Sequence, residues 1–405
     1  MNTEMENNVV IVSACRTPFD IFGGVMRETS SIELATHVMK NVVERVNLPK
    51  EAVEEIIMGV AVHAELAAYS NIPARQAALK AGFPQTTWSF TIDNACCSSM
   101  VAFSQAYKHI KYGDKAVAMA VGSENLSNVS YLLSSKVRWG TKMGDVKLFD
   151  PMTSVGYADW KPVSVCADIV GERNNISRDM MDAWAYRSQM YYQKAKEAGK
   201  FEDEIVPYVV HTKKGDITVT EDQGPRADTT MEKLAKLRTV YGTKSITAGN
   251  APGLNAGASA ILLMSEDKAK EYGLKPLAYV RAVASAADDE DDSAISVARC
   301  IRDTVNSVGK TLDDLDVIEI NEAFAVIPIV ATKYLAEGDE ALWKRLQEKT
   351  NVNGGAVAIG HPMGATGTRL IMTAMYELRR RGGGLGAAGI CGGIGLGEGV
   401  LIEVV

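Results

Sequence analysis

The stretch SIELATHVMKNVVERVNLPKEAVEEIIMG, residues 31–59, has a counterpart of the same design in residues 293–321, SAISVARCIRDTVNSVGKTLDDLDVIEIN. Each stretch begins with apolar residues at helical spacing and continues through a polar turn into a second short helix. Each then ends in an apolar run that is typical of a buried strand. The chain therefore carries an internal repeat.

The repeat extends outward from these stretches. Residues 9–12 and 277–280 each predict a first strand, while residues 94–122 and 353–392 each run as loop, helix, tight turn and buried strand. The helix within 353–392 is predicted over Arg369 to Arg379, after a glycine-rich loop. Strands that alternate with helices, each strand an apolar run, are typical of sheets covered on both faces. We therefore predict an α/β protein with two similar halves and a more irregular insertion. The predicted boundaries are 1–126 with about 247–276 for the first half, 127–246 for the insertion, and 277–405 for the second half.

Composition excludes several classes of function. The chain has 405 residues, 46% of them hydrophobic, and a formal net charge of -7, which disfavours nucleic acid as a partner. Its apolar runs are short, and its first eight residues lack the pattern of a secretory signal, so we predict a cytoplasmic protein without a membrane span. The six cysteines show no zinc-type spacing, which favours free thiols and no metal site.

One cysteine pair lies where a loop meets an apolar helix, in the stretch DNACCSSMVA of residues 93–102. A thiol at a helix N-terminus meets free backbone N–H groups and the positive end of the helix dipole. Both favour the thiolate, which is the nucleophilic form, and Cys97 is the candidate. The alternative is a buried cysteine pair followed by serines that cap the helix.

Three further residues carry chemistry at the ends of predicted elements. His361 lies in a glycine-rich stretch just before a helix, a setting that suits a general base, although a lone histidine is often structural. Cys391 follows a buried strand, and the two glycines after it leave N–H groups free for an oxyanion. Asn321 follows another strand and either holds a water or ligand or caps the next helix.

Residues 384–389, GLGAAG, match the dinucleotide-binding pattern G-x-G-x-x-G. In nicotinamide-dependent enzymes this pattern joins a strand to a helix, whereas here it lies before and within a strand. No lysine of the nucleotide-hydrolysing type follows it. We therefore set both nucleotide functions aside.

Taken together, these segments resemble the thiolase family. The motifs Asn-x-x-Cys-x-Ser, Asn-Glu-Ala-Phe, Gly-His-Pro-x-Gly-Ala-x-Gly and Cys-Gly-Gly begin at residues 94, 321, 360 and 391, in the family's order and spacing. The resemblance implies two βαβαβαββ halves in a layered αβαβα arrangement, with a loop domain inserted. It also implies an acyltransferase that cleaves or forms a 3-oxoacyl-CoA, as in β-oxidation.

The resemblance also implies roles for the candidate residues. Cys97 would carry the acyl group as a thioester, and His361 would take the Cys97 proton. Cys391 would move the proton at the α-carbon of the acyl-CoA. Asn321 would hold the water of a first oxyanion hole, and the backbone N–H groups of Cys97 and Gly393 would form the second.

Coenzyme A would be a substrate, with no tightly bound cofactor. Arg226 matches a family arginine at the nucleotide end of CoA, and Ala248 and Gly249 would flank its pantetheine. Pro252 stands where the family often has serine, and Val163 where it has a large methionine. These departures predict a longer, branched or aromatic acyl group; the alternative is an acetyl-CoA C-acetyltransferase that forms acetoacetyl-CoA.

The family is usually a homodimer or homotetramer, and some members require a small accessory subunit. One alternative is a non-catalytic or partner-dependent subunit, although such a subunit would be expected to lose a catalytic residue. Another is a decarboxylating 3-oxoacyl synthase of the same superfamily. Those enzymes use a cysteine with two histidines, or with histidine and asparagine, so Cys391 favours a thiolase instead.

Overall fold

A computed structural model describes residues 7–66, 71–153 and 159–405 of the protein. The strands in chain order are β1 Val9–Arg16, β2 Asp20–Ile21, β3 Glu55–Gly59, β4 Trp88–Ile92, β5 Val117–Asn125, β6 Leu132–Leu133, β7 Leu148–Phe149, β8 Tyr208–Thr212, β9 Gly215–Val219, β10 Asn255–Ser265, β11 Ala278–Ala287, β12 Val317–Ile320, β13 Gly384–Gly393 and β14 Leu396–Val404. The helices are α1 Ser31–Glu44, α2 Pro73–Lys80, α3 Ser98–Lys111, α4 Val163–Arg173, α5 Arg178–Glu197, α6 Met231–Ala235, α7 Glu266–Glu271, α8 Ser293–Ser307, α9 Val326–Leu335, α10 Glu340–Lys349, α11 Ala356–Ile359 and α12 Met363–Arg381.

The main sheet joins the two halves edge to edge. Its strand order is β12-β13-β14-β11-β1-β10-β5-β3-β4, and β2 pairs with β10. The halves meet where β1 pairs with β11, through only two residue pairs, Val10 with Tyr279 and Ile11 with Ala278. Strands β6 and β7 pair with each other, as do β8 and β9, so the strands described in the insertion stay outside the main sheet.

The predicted repeat is confirmed. The stretch 31–59 folds as α1 and β3, and its counterpart folds as α8 and β12, each with a one-turn 3-10 helix between them. In the first half β4 pairs with β3. At the matching place in the second half there is a single bridge, between Ile318 of β12 and Thr350. The predicted boundaries at 126 and 277 fall directly after β5 and directly before β11.

Helices α3 and α12 form the middle of the layered arrangement. Both pack against β5 of the first half and against strands of the second half, while α1 covers the outer face of one half and α8 that of the other. A core cluster between the halves mixes residues of both, among them Phe103, Leu370 and Ile390. The αβαβα layering predicted from the resemblance is therefore present.

Helix α12 begins six residues before the predicted start at Arg369, and this part of the sequence prediction is wrong. The glycines that suggested a loop lie inside the helix, where they allow backbones to approach closely. A Cβ at Gly364 would come within 2.7 Å of the Ser123 carbonyl oxygen, and one at Gly367 within 2.8 Å of the Met100 Cβ. Such contacts are too short for any side chain, so glycine brings α12 against α3 and β5.

No helix in the three described ranges is long and apolar enough to cross a membrane.

Candidate active site

The N-termini of α3 and α12 converge on one point between the halves. Neither helix has a side-chain cap at its start, and neither has an acidic residue in its first turn. The positive ends of both helix dipoles therefore face this point. Cys96 lies just before α3 and His361 just before α12, so both side chains occupy a field that favours an anion.

The thiol of Cys96 is in contact with the imidazole of His361. The Sγ atom lies 3.2 Å from Nε2, while Nδ1 lies 2.7 Å from the Thr366 hydroxyl oxygen. The His361 backbone N–H donates to Asn255 Oδ1 at 2.9 Å. Burial lowers the pKa of His361 to about 3, with a smaller contribution from the Arg369 cation. The imidazole is therefore neutral near pH 7 and can accept a proton.

Cys96 is held by a strained turn. Ala95 has φ 49°, in the left-handed region that few residues other than glycine adopt, and Asp93 stabilises the turn by accepting the Ala95 N–H at 3.0 Å. Burial raises the pKa of the Cys96 thiol well above its ordinary value, and Cys391 and Glu124 add to the shift. The thiol therefore needs a base in contact with it, and His361 is in that position.

Cys96 and His361 line a cavity of about 390 Å³ together with Cys391 and Gly393. Burial raises the pKa of the Cys391 thiol to about 12, so this residue is a proton donor at neutral pH. Most of the remaining wall is apolar. It includes Leu126, Met152, Val163, Ala167, Val170, Pro252, Phe324, Ile327 and Met363.

A second cleft, of about 520 Å³, adjoins the first. The two cavities share Ala251, Gly253 and Leu254, so a long ligand can pass from one to the other. Arg226, Ala248 and Gly249 line the second cleft. Its cations are Arg226 and Lys233, and Lys233 is paired with Asp228 at 2.6 Å.

Asn321 lies directly after β12 and is fully buried. Its Nδ2 atom is 3.3 Å from His361 Nε2. Its Oδ1 atom has no hydrogen-bond partner among the described residues. A buried acceptor without a partner is costly, so this oxygen is suited to bind a water or a substrate group.

Two protein-family sequence models together match almost the whole chain. The sequence model of the thiolase N-terminal domain covers residues 9–267, and that of the thiolase C-terminal domain covers residues 274–404. The chain belongs to the thiolase family. It is therefore an acyltransferase, as the resemblance implied.

Relatives of this thiolase match along their full length. An acetyl-CoA acetyltransferase of Syntrophomonas wolfei is 38% identical over 99% of this chain and 100% of its own. A probable acetyl-CoA acetyltransferase of Escherichia coli is 37% identical, covering 98% of both chains.

Solved structures show the same fold. The acetyl-CoA acetyltransferase of Bacillus anthracis matches with a TM-score of 0.93 at 37% identity, covering all of both chains. Human mitochondrial 3-ketoacyl-CoA thiolase in complex with CoA matches with a TM-score of 0.91 at 32% identity, covering 99% of both chains.

The prediction that Cys97 faces His361 in this thiolase is wrong. Cys97 is fully buried, does not line the cavity, and its thiol donates to the Ile390 carbonyl oxygen at 3.3 Å. Its backbone N–H donates to the Asn94 carbonyl oxygen at 3.1 Å, so the turn already uses the group that was assigned to the second oxyanion hole. The residue one position earlier takes the predicted place in the cavity.

The other predicted site residues come together in two groups. His361, Cys391, Gly393, Val163 and Pro252 line the first cavity, with Asn321 in contact with His361. The predicted CoA contacts Arg226, Ala248 and Gly249 line the adjoining cleft.

Cys96 and Thr366 were missed as site residues. Thr366 fills the second variable position of Gly-His-Pro-x-Gly-Ala-x-Gly, five residues after His361. Because α12 begins at residue 363, Thr366 lies in its first turn, where the side chain can reach back to His361. The signal was therefore present, but it required the correct start of α12.

Proposed function

We propose that the protein catalyses CoA-dependent cleavage, or the reverse condensation, of a 3-oxoacyl-CoA, with Cys96 as the nucleophile. The observation that carries the proposal is the contact between Cys96 Sγ and His361 Nε2, 3.2 Å apart in a cavity that Cys391 also lines. A nucleophile, its base and a second proton carrier are the groups that a thioester-forming carbon–carbon cleavage requires.

In the cleavage direction His361 Nε2 takes the Cys96 proton, and the thiolate sulfur attacks the 3-oxo carbonyl carbon. The bond between C2 and C3 then breaks. Cys391 protonates C2 of the departing acetyl-CoA, and the acyl group stays on Cys96 as a thioester. Next the CoA thiol gives its proton to Cys391 and attacks that thioester, so Cys96 leaves as a thiolate and regains its proton from His361.

Two groups of donors suit the oxygens that become negative during these steps. For the acetyl-CoA thioester oxygen we assign His361 and a water held by the unpaired Oδ1 of Asn321. For the oxygen on the acylated side we assign the backbone N–H groups of Cys96 and Gly393, with Cys96 replacing Cys97. Removing one donor of this kind typically costs roughly 3–4 kcal/mol of transition-state stabilisation.

Coenzyme A fits the two joined cavities, with its thiol end at Cys96 and its nucleotide end in the second cleft. Arg226 supplies positive charge for its phosphates, whereas Asp228 neutralises Lys233, and Ala248 and Gly249 offer little steric hindrance to pantetheine. The human relative that matches along its full length was solved with CoA, which supports the same use here.

We further infer an acyl group larger than acetyl. One face of α4 supplies Val163, Ala167 and Val170, at spacings of four and three residues, to the wall of the cavity, and Ile327 and Phe324 of the region around α9 complete it. This apolar space exceeds what an acetyl group fills. The second candidate is acetyl transfer to give acetoacetyl-CoA, which the names of several relatives favour.

The test is cleavage of acetoacetyl-CoA, a medium-chain and a branched or aryl 3-oxoacyl-CoA by the wild type and Ala167→Phe. We expect the wild type to prefer a larger substrate. The Phe variant should lose that preference by about tenfold or more, because a ring added at residue 167 fills the cavity. Acetoacetyl-CoA is the internal control, since its cleavage should change little. A wild type that prefers acetoacetyl-CoA would establish the second candidate, and no cleavage of any substrate would contradict the proposed function.

We also propose a homodimer formed through β4. This strand ends the main sheet, where β3 is its one pairing partner among the described residues, and Trp88 at its start is 61% exposed. An open strand edge is a template for pairing with another chain, and a second copy offers the same edge. Sedimentation velocity at micromolar concentration should therefore give a dimer or a larger assembly. A monomer would contradict this proposal.

A further inference from the structure

The hydroxyl group of Thr366 can only accept a hydrogen bond from His361. Thr366 is fully buried in the first turn of α12, and its Oγ1 atom donates to the Pro362 carbonyl oxygen at 2.9 Å. A hydroxyl group has one proton, which this bond uses. The bond of 2.7 Å between Thr366 Oγ1 and His361 Nδ1 therefore requires a proton on Nδ1.

A neutral imidazole carries one N–H, so a proton on Nδ1 leaves Nε2 with a free lone pair. Nε2 faces two donors, the Cys96 thiol at 3.2 Å and the Asn321 amide nitrogen at 3.3 Å. Both contacts are favourable to a bare nitrogen, and the amide donor would repel an N–H at that position. The hydrogen bonds on both sides of the ring thus select the same tautomer.

We propose that Thr366 is a positioning residue that keeps His361 in the tautomer with the proton on Nδ1, so that Nε2 is free to accept the proton of Cys96. The inference rests on the proposed role of Cys96 as nucleophile. Thr366 touches neither cavity, so its effect passes through His361. It should act on the rate of acylation and leave substrate binding unchanged.

The chain offers a matched control. Thr332 in α9 is also fully buried, lies four residues after a proline and donates to that proline's carbonyl oxygen, Pro328 O, at 2.7 Å. It likewise accepts a ring N–H, from Trp343 Nε1 at 3.1 Å. Replacing Thr332 with valine therefore removes the same kinds of bond from a buried helix away from His361.

The first test compares Thr366→Val, Thr366→Ser and Thr332→Val in the rate at which acetyl-CoA acylates Cys96. Valine leaves Nδ1–H without an acceptor, which shifts the proton to Nε2, where it blocks transfer from Cys96. We expect Thr366→Val to acylate about 100-fold more slowly with an unchanged KM, as loss of a histidine's orienting partner can cost this much or more. Thr366→Ser and Thr332→Val should stay within about threefold of the wild type. Equal losses in both valine variants, or no loss in Thr366→Val, would overturn the proposal.

The second test reads the tautomer directly by ¹⁵N NMR of protein labelled at its five histidines. The spectrum of His361, assigned through His361→Asn, should show a protonated Nδ1 and a bare Nε2 in the wild type, and the reverse in Thr366→Val. A protonated Nε2 in the neutral wild-type ring would overturn the proposal. This measurement needs no turnover, so it separates failure of the tautomer proposal from failure of the proposed function, and its wild-type arm holds even if Thr366→Val does not fold.

Discussion

Cys96→Ala is expected to lose CoA-dependent cleavage by at least about 10⁴-fold, while Cys97→Ser stays within about threefold of the wild type. The two neighbours differ because only the Cys96 thiol reaches His361 Nε2, at 3.2 Å. Cys97 does not line the cavity; its thiol donates to the Ile390 carbonyl oxygen, and a serine hydroxyl can keep that bond. The measurement is kcat and KM for each variant on the best substrate of the panel.

A chemical measurement makes this prediction independent of the substrate. Brief treatment with iodoacetamide should label one thiol per chain rapidly, and peptide mapping with both variants should identify it as Cys96. Prior incubation with acetyl-CoA should protect it. If rapid labelling persisted in Cys96→Ala and was lost in Cys97→Ser, the nucleophile would be Cys97. That result would contradict our assignment.

The error of one residue at this position has a physical cause. The motif Asn-x-x-Cys-x-Ser matched Asn94, Cys97 and Ser99, but adjacent residues in a turn point in different directions. Helical periodicity could not decide between the two cysteines, because α3 lies in the middle layer and is buried on most of its surface. The left-handed φ of Ala95, which aims Cys96 at His361, is a property of the folded turn.

The fold itself was predictable because its signals repeat. The stretches 31–59 and 293–321 gave α1, β3, α8 and β12 within a few residues. Prediction failed where tertiary packing overrides local preference, as in α12, whose glycines suggested a loop but serve the close contact with α3 and β5. The walls of the two cavities combine α4, α9 and the loops around residues 251–254. No local pattern in the sequence predicts that these segments lie next to one another.

The second large effect concerns Cys391, and it separates the two halves of the proposed reaction. Cys391→Ala should lower cleavage of the carbon–carbon bond by about 10³-fold, within the range typical of a lost general acid or base. Acylation of Cys96 by acetyl-CoA should be far less affected, because the CoA thiolate that leaves in this step is a much weaker base than the C2 carbanion and can leave without taking a proton from Cys391. Overall cleavage of a 3-oxoacyl-CoA and the rate at which acetyl-CoA acylates Cys96, followed by mass spectrometry, would be measured in the same variant.

Cys300→Ala is the matched control for Cys391→Ala. Cys300 is also a buried cysteine outside any disulfide, and burial raises its pKa, but it lies in α8 and does not line the cavity. Acylation and carbon–carbon cleavage should therefore keep their rates in Cys300→Ala. A loss of cleavage rate in Cys391→Ala would then be due to lost proton transfer and not to the removal of a buried sulfur atom. If Cys391→Ala slowed acylation as much as cleavage, Cys391 would act on the nucleophile itself. Our assignment of the α-carbon proton to this residue would then be wrong.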